Sequence, residues 1–318
     1  MPGQTSNWFY ILCAACLITG FNLNAFAGEE AEKEPSTAAK ETAADETDQP
    51  TYRLTYQFEK GEFVKYQVHD RSVYTTRKNE IAETVRNESQ QWRHYRVVSV
   101  DENNEATLEL MIDRVRMMAQ FDESNPTLFD SANPDLQPAK MQSIMDSINV
   151  PLCRMRVNDR GELVHVQGLQ ANTDTKNDPA INFLVVFPDR EIAVGDTWNQ
   201  SLEVEVPVTD SLKEKVKLIR KYTLKGVEGD VATLQVSTAL ATLMRDPAVQ
   251  TRLMQMTPSG TIAFDMKRGV MLSREQNVND QVVGAFGTGT LVRAQNHRVE
   301  KLIEQQNPVA EADKVSQK

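Results

Sequence analysis

Cysteine is scarce in this chain, which has three in 318 residues. Cys13 and Cys16 lie in an N-terminal segment that we predict is removed, so the mature chain keeps only Cys153. One cysteine cannot form an internal disulfide, and stability must therefore come from a hydrophobic core. Cys153 shares the strand parity of Met155 and Val157, which is typical of a small buried hydrophobe rather than of a catalytic nucleophile.

Charged side chains are absent from the first 27 residues. Residues 8–21 form an apolar run, and a small-residue motif follows that ends at Ala27, which is the pattern of a signal peptide cleaved after Ala27. The n-region lacks Lys and Arg, so an uncleaved N-terminal membrane anchor is the alternative. Asn22 and Asn24 interrupt the run before it reaches the ~20 apolar residues of a spanning helix. We expect a secreted or periplasmic protein with no stable membrane span after cleavage.

Basic and aromatic residues are scarce in the next segment. Residues 28–50 contain eight acidic residues against Lys33 and Lys40, and they contain no aromatic residue. This composition predicts a disordered acidic linker. Most of the net charge of −10 lies in this linker, so the rest of the chain is only mildly acidic. No clustered basic face indicates a nucleic-acid partner.

Catalytic and metal-binding motifs are also absent. The four histidines are scattered, and none has a second histidine or a cysteine at metal-ligand spacing. Gly-x-Ser-x-Gly does not occur, and the glycine-rich residues 284–289 lead into a strand pattern, which favours a hairpin turn over a phosphate-binding loop. We therefore expect no metal, no cofactor and no enzymatic activity. An exported hydrolase is the less favoured alternative, because it would need polar groups that converge in a cleft.

Alternation of apolar and polar residues dominates the chain from Thr51 onward. In residues 52–58, for example, apolar side chains occupy every second position, as in a strand with one buried face. This pattern predicts strands in the first part of the chain near 52–58, 64–69, 72–86, 90–100, 106–118, 152–157 and 162–166. It predicts strands in the second part near 202–208, 214–226, 232–236, 261–266, 270–274, 276–283 and 289–302.

Two stretches switch to helical spacing. Residues 134–149 place apolar side chains three to five positions apart, with a proline near the start. A second helix is expected after Asp246, an N-cap residue, with Pro247 at its first position. We also predict a short helix that includes residues 181–187 and connects the two parts of the chain.

The two parts repeat one order of strands, turn, helix and hairpin. The turns at Gly161 and Gly269 correspond, and each is expected to need a positive φ. A duplicated domain explains this order better than coincidence. The predicted divisions are a first β-rich repeat at 51–170, a connecting segment at 171–190, a second β-rich repeat at 191–305 and a flexible tail at 306–318. The predicted fold class is α+β and β-rich, with two similar halves that each combine a curved antiparallel sheet with one short helix.

A strand-opening motif begins the second repeat. Pro188 is followed by Val194-Gly195-Asp196-Thr197-Trp198, which resembles the Pro…Val-Gly-Asp-x-Trp motif of a family of exported bacterial proteins of unknown function. The pattern Tyr-x-Leu-x-Tyr-x-Phe-x-x-Gly-Glu at 52–62 is similar to that family's opening strand. The resemblance covers residues 52–302 and implies export and a β-rich fold, without catalytic residues. We expect Gly195 to allow a turn, Asp196 to bond nearby amides and Trp198 to anchor the core.

Methionine is the residue type that points to a binding site. The two predicted helices carry four methionines, Met141, Met145, Met254 and Met256. Methionine suits adaptable apolar surfaces, so two such helices laid over antiparallel sheets would enclose a hydrophobic cavity lined by these residues. An ordinary filled core beneath ordinary helices is the alternative.

These observations predict a non-enzymatic exported envelope protein that binds a lipid, another apolar ligand or an envelope protein. The alternative is a structural or protein-interaction module, which would have a filled core and either an exposed apolar patch or an open sheet edge.

Overall fold

The structure is a computed structural model, and it describes residues 49–170, 181–207, 213–242 and 244–304. The predicted signal peptide with its cleavage site, nearly all of the acidic linker and the predicted tail at 306–318 lie outside these residues. The first part of the connecting segment also lies outside them.

The described residues contain fourteen strands and two short helices. The strands are β1 (Thr51–Tyr52), β2 (Phe63–Lys78), β3 (Ile81–Val100), β4 (Ala106–Phe121), β5 (Thr127–Asp130), β6 (Pro151–Val157), β7 (Leu163–Gly168), β8 (Ile192–Ala193), β9 (Thr197–Pro207), β10 (Lys213–Glu228), β11 (Val231–Leu240), β12 (Ser259–Asp265), β13 (Val270–Val283) and β14 (Thr290–Leu302). The helices are α1 (Gln142–Met145) and α2 (Pro247–Leu253), with 3₁₀ turns at Pro134–Leu136, Ala139–Met141 and Met254–Met256. Within the described ranges, no helix has the length and apolar content needed to cross a membrane.

Twelve strands form one antiparallel sheet. Their order is β7-β6-β4-β3-β2-β14-β13-β12-β11-β10-β9, with β5 paired to β4, while β1 and β8 form a separate pair. The two predicted halves meet where β2 pairs with β14, from Tyr66 opposite Leu302 to Lys78 opposite Thr290. The α+β, β-rich class with antiparallel pairing and two short helices is confirmed, and both halves contribute to a single sheet.

Alternation along the strands separates a covered face of the sheet from an exposed face. In β11, Ala232, Leu234, Val236 and Thr238 are buried, whereas the residues between them are exposed. The covered face, here called the inner face, carries the main hydrophobic core. The other face, here called the outer face, has the alternating polar side chains that the sequence pattern predicts.

Residues 53–58 form an irregular segment on the inner face, although their sequence alternates as in a strand. The strand predicted at 52–58 is wrong for all but its first residue, because the rest joins no sheet. Instead, Tyr56 N–H donates to Asp159 O at 2.7 Å, and Gln57 N–H donates to Gly269 O at 3.2 Å. The apolar alternation arises because the segment lies extended against the core, so one side of it is buried without a ladder of strand partners.

A second irregular segment, residues 181–187, covers the same core. The helix predicted here is wrong, because these residues have no helical structure. Val185 N–H donates to the Tyr56 hydroxyl at 2.8 Å, and the Phe183 ring stacks on Tyr95 with centroids 3.8 Å apart. Five apolar residues of the segment are buried: Ile181, Phe183, Leu184, Val185 and Phe187. A segment covered on several sides is apolar at most positions, so its periodicity does not distinguish it from a buried helix.

The helix predicted at 134–149 is interrupted. Two 3₁₀ turns precede α1, which has only four residues. Pro138 separates the two turns, and its missing N–H and its clash with the preceding residue prevent a continuous helix. The start of α2 agrees with the sequence pattern, because Asp246 Oδ1 accepts the N–H of Ala248 at 2.8 Å and Pro247 is the first helical residue.

Gly161 and Gly269 lie in corresponding hairpin turns, and each contacts an irregular segment. Their φ angles are +83° and +61°. A Cβ on Gly161 would lie 2.3 Å from Val185 O, and one on Gly269 would lie 2.3 Å from Gln57 N. Both positions therefore require glycine for the left-handed backbone and for the close approach of the segment.

The strand-opening motif also contacts an irregular segment. Gly195 has a φ of +98°. Asp196 Oδ2 accepts the N–H of Ala193 at 3.3 Å, and Trp198 Nε1 donates to Val186 O at 2.8 Å. The motif thus ties the start of β9 to the segment that covers the core.

Candidate functional site

A cleft opens in the sheet between β11 and β13. β12 begins at Ser259, which pairs with Ser237 of β11 and with Asn277 of β13. Both neighbours continue past that level, β11 to Leu240 and β13 to Val283, with no β12 residue between them. The gap that remains forms a cleft of about 640 Å³.

The connection from β11 to β12 covers this gap as a roof that contains α2 and the turn Met254–Met256. Val249 and Leu253 pack in one small cluster on β9 and β10, with Val206, Val216 and Leu218. The next residue, Met254, packs in a different cluster on β13 and β14, with Val282, Ala285, Val292 and Ala294. The roof therefore spans the cleft from one wall of the sheet to the other.

The cleft has an apolar inner end and a polar outer mouth. Five buried apolar side chains line it on the inner side: Met244, Leu253, Met254, Val278 and Val282. Because β13 alternates, the intervening residues point to the outer face. Four exposed polar residues line the mouth there: Ser259, Asn277, Asn279 and Gln281. Of the described residues that line the cleft, Asp280 alone carries a charge.

Thr238 adds a polar group on the inner side. Its side chain is buried, and its Oγ1 has no hydrogen-bond partner among the described residues. A buried hydroxyl without a partner is unfavourable, and a water molecule or a bound polar atom would satisfy it. Gln250 also lines the cleft, but its Nε2 already donates to Met244 O. A polar atom of a ligand would therefore gain the most favourable hydrogen bond on the inner side by contacting Thr238.

The four methionines predicted to line a cavity are not brought together. Met254 lines the cleft, and Met256 packs against the cluster on β9 and β10. Met141 and Met145 pack against the main core of the first half. A space in that core beside Tyr56 measures only about 10 Å³, which is about the size of one water molecule. The cleft thus lies under the second helix.

The sequence pattern does not reveal the other residues that line the cleft, such as Thr238, Asn277 and Val282. Their proximity depends on the lengths of three neighbouring strands, which pair far apart in the chain. One local feature of the sequence does indicate the gap beside β13. The alternation at 276–283 has no counterpart in the shorter strand predicted at 261–266, so part of β13 must lack a partner on that side.

A second group of titratable residues lies within the core. Arg93 donates a hydrogen bond to Glu300, and a guanidinium nitrogen of Arg274 lies 3.9 Å from the other oxygen of that carboxylate. Burial raises the pKa of Glu300, but the charges of Arg93, Arg274 and Arg298 outweigh it and hold the pKa below its usual value. Arg274 also donates to Phe183 O. A carboxylate kept ionised in this way fits a structural link between the sheet and residues 181–187 better than acid–base chemistry.

Three of the four histidines occur in cross-strand pairs with carboxylates. The pairs are His69–Glu88 at 2.7 Å, His94–Asp113 at 2.7 Å and His297–Glu275 at 3.0 Å. In the part of the chain that the structure describes, no group of three or more His, Cys, Asp or Glu residues could hold a metal ion. Each pair joins two neighbouring strands.

Part of the chain matches a known family. Residues 177–271 match the model of a family of unknown function, DUF6263. The matched range includes the strand-opening motif, β9 to β12 and α2, and so contains the roof of the cleft and the β11 wall. No curated protein matches the chain.

Three solved structures are similar to this chain at low identity. A lipovitellin structure, described for its lipid–protein interactions, is 14% identical with a TM-score of 0.47, over 79% of this chain and 26% of that chain. This chain therefore spans about a quarter of the lipovitellin chain. DynF, from the dynemicin biosynthesis pathway of Micromonospora chersina, is 4% identical with a TM-score of 0.22, over 83% of this chain and 89% of that chain. A DUF1329 family protein from Desulfovibrio piger is 12% identical with a TM-score of 0.15, over 76% of this chain and 86% of that chain. None of these values supports a functional argument.

Proposed function

We propose that the protein is a non-enzymatic exported binding protein whose cleft takes one small amphipathic molecule. The observation that carries this proposal is a cleft of about 640 Å³ with an apolar inner end and a polar mouth. Sites for small ligands typically have volumes of about 300–1,000 Å³ and combine apolar walls with a few polar groups. The cleft has both properties.

The lining indicates how such a molecule would lie. Its apolar part would contact Met254, Val278 and Val282, and its polar end would lie at the mouth near Asn279. Asp280 lies on the same side of β13 as Val278 and Val282, so it places a negative charge beside the apolar end and disfavours an anionic ligand, because like charges repel at short range. The ligand class that fits best is therefore a neutral amphiphile, with an apolar chain and a head that hydrogen-bonds to amides and hydroxyls.

The packing around the cleft would allow binding without disturbing the rest of the fold. The roof is held by two small clusters that are separate from the main core. Occupation of the cleft therefore requires no change at the segments that cover that core. A fold with a rigid core and a separately packed roof is suited to reversible binding.

The decisive test is binding of a neutral single-chain amphiphile, monolauroylglycerol, by the full chain. Native mass spectrometry of the gently purified protein, followed by mass spectrometry of its organic extract, would first identify any co-purified molecule. The expected results are one bound amphiphile per chain and weaker binding of lauric acid, which carries a carboxylate. A chain that purifies without added mass and takes up neither amphiphile contradicts the proposal.

A matched pair of variants locates the site. Asn279→Trp places a large side chain at the mouth and is expected to weaken monolauroylglycerol binding at least about tenfold, because it competes for the space of the ligand. Thr233→Trp, at an exposed position of β11 that does not line the cleft, serves as the control. Equal affinity of the two variants would place binding elsewhere on the protein.

Export is the part of the proposal that rests on the N-terminal sequence pattern. The apolar run at 8–21 and the motif ending at Ala27 support it. Expression in a bacterial host followed by N-terminal sequencing of the periplasmic fraction should give a chain that begins at Gly28. An intact N terminus in the membrane fraction would favour the anchor.

A protein-interaction module is the second candidate function, and the edge of the sheet favours it. β9 is eleven residues long and pairs with β10 alone among the described strands. An open strand edge can pair with a strand of another protein. Protection of β9 amides from hydrogen exchange on addition of an envelope extract, without uptake of an amphiphile, would support this function over the first.

A further inference from the structure

Four central strands project beyond their neighbours at one end of the sheet. β2 and β3 continue to Lys78 and Ile81, past the end of β4. β13 and β14 continue to Val283 and Thr290, past the level at which β12 begins. Lys78 pairs with Thr290, so the two hairpin ends lie side by side. These ends, residues 78–81 and 283–290, are here called the tip.

Large apolar side chains are exposed at the tip. The exposed fractions are 71% for Ile81, 70% for Val283 and 46% for Phe286. Within the described ranges, Ile81 and Val283 are the most exposed of the large hydrophobic residues. Ile81 lies in the register row of the buried Thr290, on the inner-face side, whereas Val283 points to the outer face, and β2 and β14 lie between them. Scattered single apolar residues are common on protein surfaces, but apolar side chains on both faces of one projecting end indicate a surface that makes contact end-on.

Specific hydrogen bonds hold the tip in this form. Thr290 is buried, and its hydroxyl accepts the N–H of Phe286 at 3.1 Å and donates to Gly287 O at 2.6 Å. The N–H of Asn79 donates to Gly289 O at 3.2 Å and joins the two hairpin ends. The loop therefore holds Phe286 outward by defined bonds, so its exposure does not arise from a loosely packed segment.

Charged residues beside the tip are balanced in sign. Arg77, Lys78 and Arg293 are exposed on β2 and β14. Glu80 and Glu83 lie on the hairpin of the first two, and Asp280 is exposed on β13 at nearly the level of Arg293. This balance neither attracts nor repels a charged surface strongly, and it leaves apolar contact as the larger attraction.

We propose that the tip inserts into the surface of a lipid bilayer. A protein partner would need about 800 Å² of contact on each side for a stable interface, and three side chains at the end of two hairpins offer much less. A bilayer needs no matching shape, and it accommodates apolar side chains below charged residues that stay at the level of the headgroups. This proposal stands on the tip alone and holds whether or not the cleft binds an amphiphile.

Photo-crosslinking provides a test that is specific to the tip. The full chain would carry p-benzoylphenylalanine in place of Phe286, or, as the matched control, in place of Phe63. Phe63 is 39% exposed and lies at the opposite end of β2. With vesicles of phosphatidylcholine containing phosphatidylglycerol, we expect lipid adducts at position 286 and a much lower yield at position 63.

Vesicle flotation gives an independent measurement. The double variant Ile81→Ser/Val283→Ser is expected to lower vesicle binding at least about tenfold, because each exposed aliphatic side chain contributes about that factor when it leaves water. The control Val164→Ser/Leu169→Ser changes two exposed aliphatic residues in β7 and just after it, at an edge of the sheet, and should bind like the unmodified chain. All variants carry the same N-terminal residues, so any contribution from that segment cancels.

Two results would overturn the proposal. One is an equal lipid yield at positions 286 and 63, since this would mean general adsorption of the chain. The other is a chain-to-chain adduct at position 286 without a lipid adduct, since this would assign the tip to a second copy of the protein. Thermal unfolding of each variant would confirm that the substituted surface residues leave the fold unchanged.

Discussion

Arg93 of β3 donates a hydrogen bond to Glu300 of β14, and both side chains are almost completely buried. The two residues are 207 positions apart and belong to the two halves of the chain. Arg274 of β13 lies beside the same carboxylate and donates to Phe183 O. One buried carboxylate thus connects three strands of the sheet to the segment that covers the core.

Loss of this carboxylate is expected to destabilise the protein strongly. Glu300→Gln leaves Arg93 and Arg274 without a countercharge in the core, and removal of one partner of a buried pair costs about 3–5 kcal/mol. Glu275→Gln is the matched control, because its pair with His297 is about half exposed. That change should cost no more than about 1 kcal/mol. Urea unfolding of both variants provides the measurement. Equal midpoints would show that the buried pair contributes no more to the free energy of unfolding than the exposed pair does.

Acid should remove a separate contribution from Glu109. Burial raises the pKa of Glu109, but hydrogen bonds from Arg154 and Arg96 outweigh it and hold the pKa below 4.5. A group whose pKa is depressed by folding stabilises the native state above its unfolded pKa, and this stabilisation is lost as the pH falls through its folded pKa. Glu109→Gln should therefore lose less stability than the unmodified chain between pH 7 and pH 3. Urea midpoints at several pH values would test this, and parallel losses would contradict it.

Gly161→Ala should destabilise the protein more than Gly61→Ala does. Both positions have positive φ angles, +83° and +90°, so each change costs about 1–2 kcal/mol for the left-handed backbone. A Cβ at Gly161 would also lie 2.3 Å from Val185 O, whereas a Cβ at Gly61 would meet no atom within 4 Å. We expect an additional loss of at least about 1 kcal/mol at Gly161, because residues 181–187 must shift. Thermal unfolding would measure the difference, and equal losses would mean that this segment moves freely.

Asp246→Ala should loosen the roof of the cleft. The Asp246 side chain accepts the N–H of Ala248, and loss of such an N-cap costs about 1 kcal/mol. We expect faster hydrogen exchange in α2 with little change in β2 and β3. Asp135→Ala is the control, because Asp135 lies in the first turn of another helical segment without providing its cap. Unchanged exchange in α2 would show that packing alone holds the roof.

The sequence pattern predicts those features of the fold that depend on local alternation. It predicts β11, in which every second residue is buried, and it predicts the turns at Gly161 and Gly269. It fails at 53–58 and 181–187, where the core covers the chain without pairing it in the sheet. Periodicity reports which side of a segment is buried, and it does not report what covers that side.

The candidate site could be predicted only in part for a related reason. The sequence points to Met254 because it lies in a predicted helix that carries a second methionine, and Met254 does line the cleft. The cleft itself exists because β12 begins later than its neighbours end, which is a relation between strands that are distant in the chain. No spacing within one segment encodes that relation, although the long alternation at 276–283 is consistent with it.

The pairing of β2 with β14 has a consequence for the order of folding. β2 is among the first strands to leave the ribosome, yet one of its two partners includes Leu302, near the end of the described chain. Until synthesis reaches that strand, one edge of β2 has no partner, and the buried Glu300 is not yet available to Arg93. Because contacts between distant residues slow folding, the central part of the sheet is expected to form slowly and only after β14 has been synthesised. Until then, the open edge of β2 is a site at which other strands can pair.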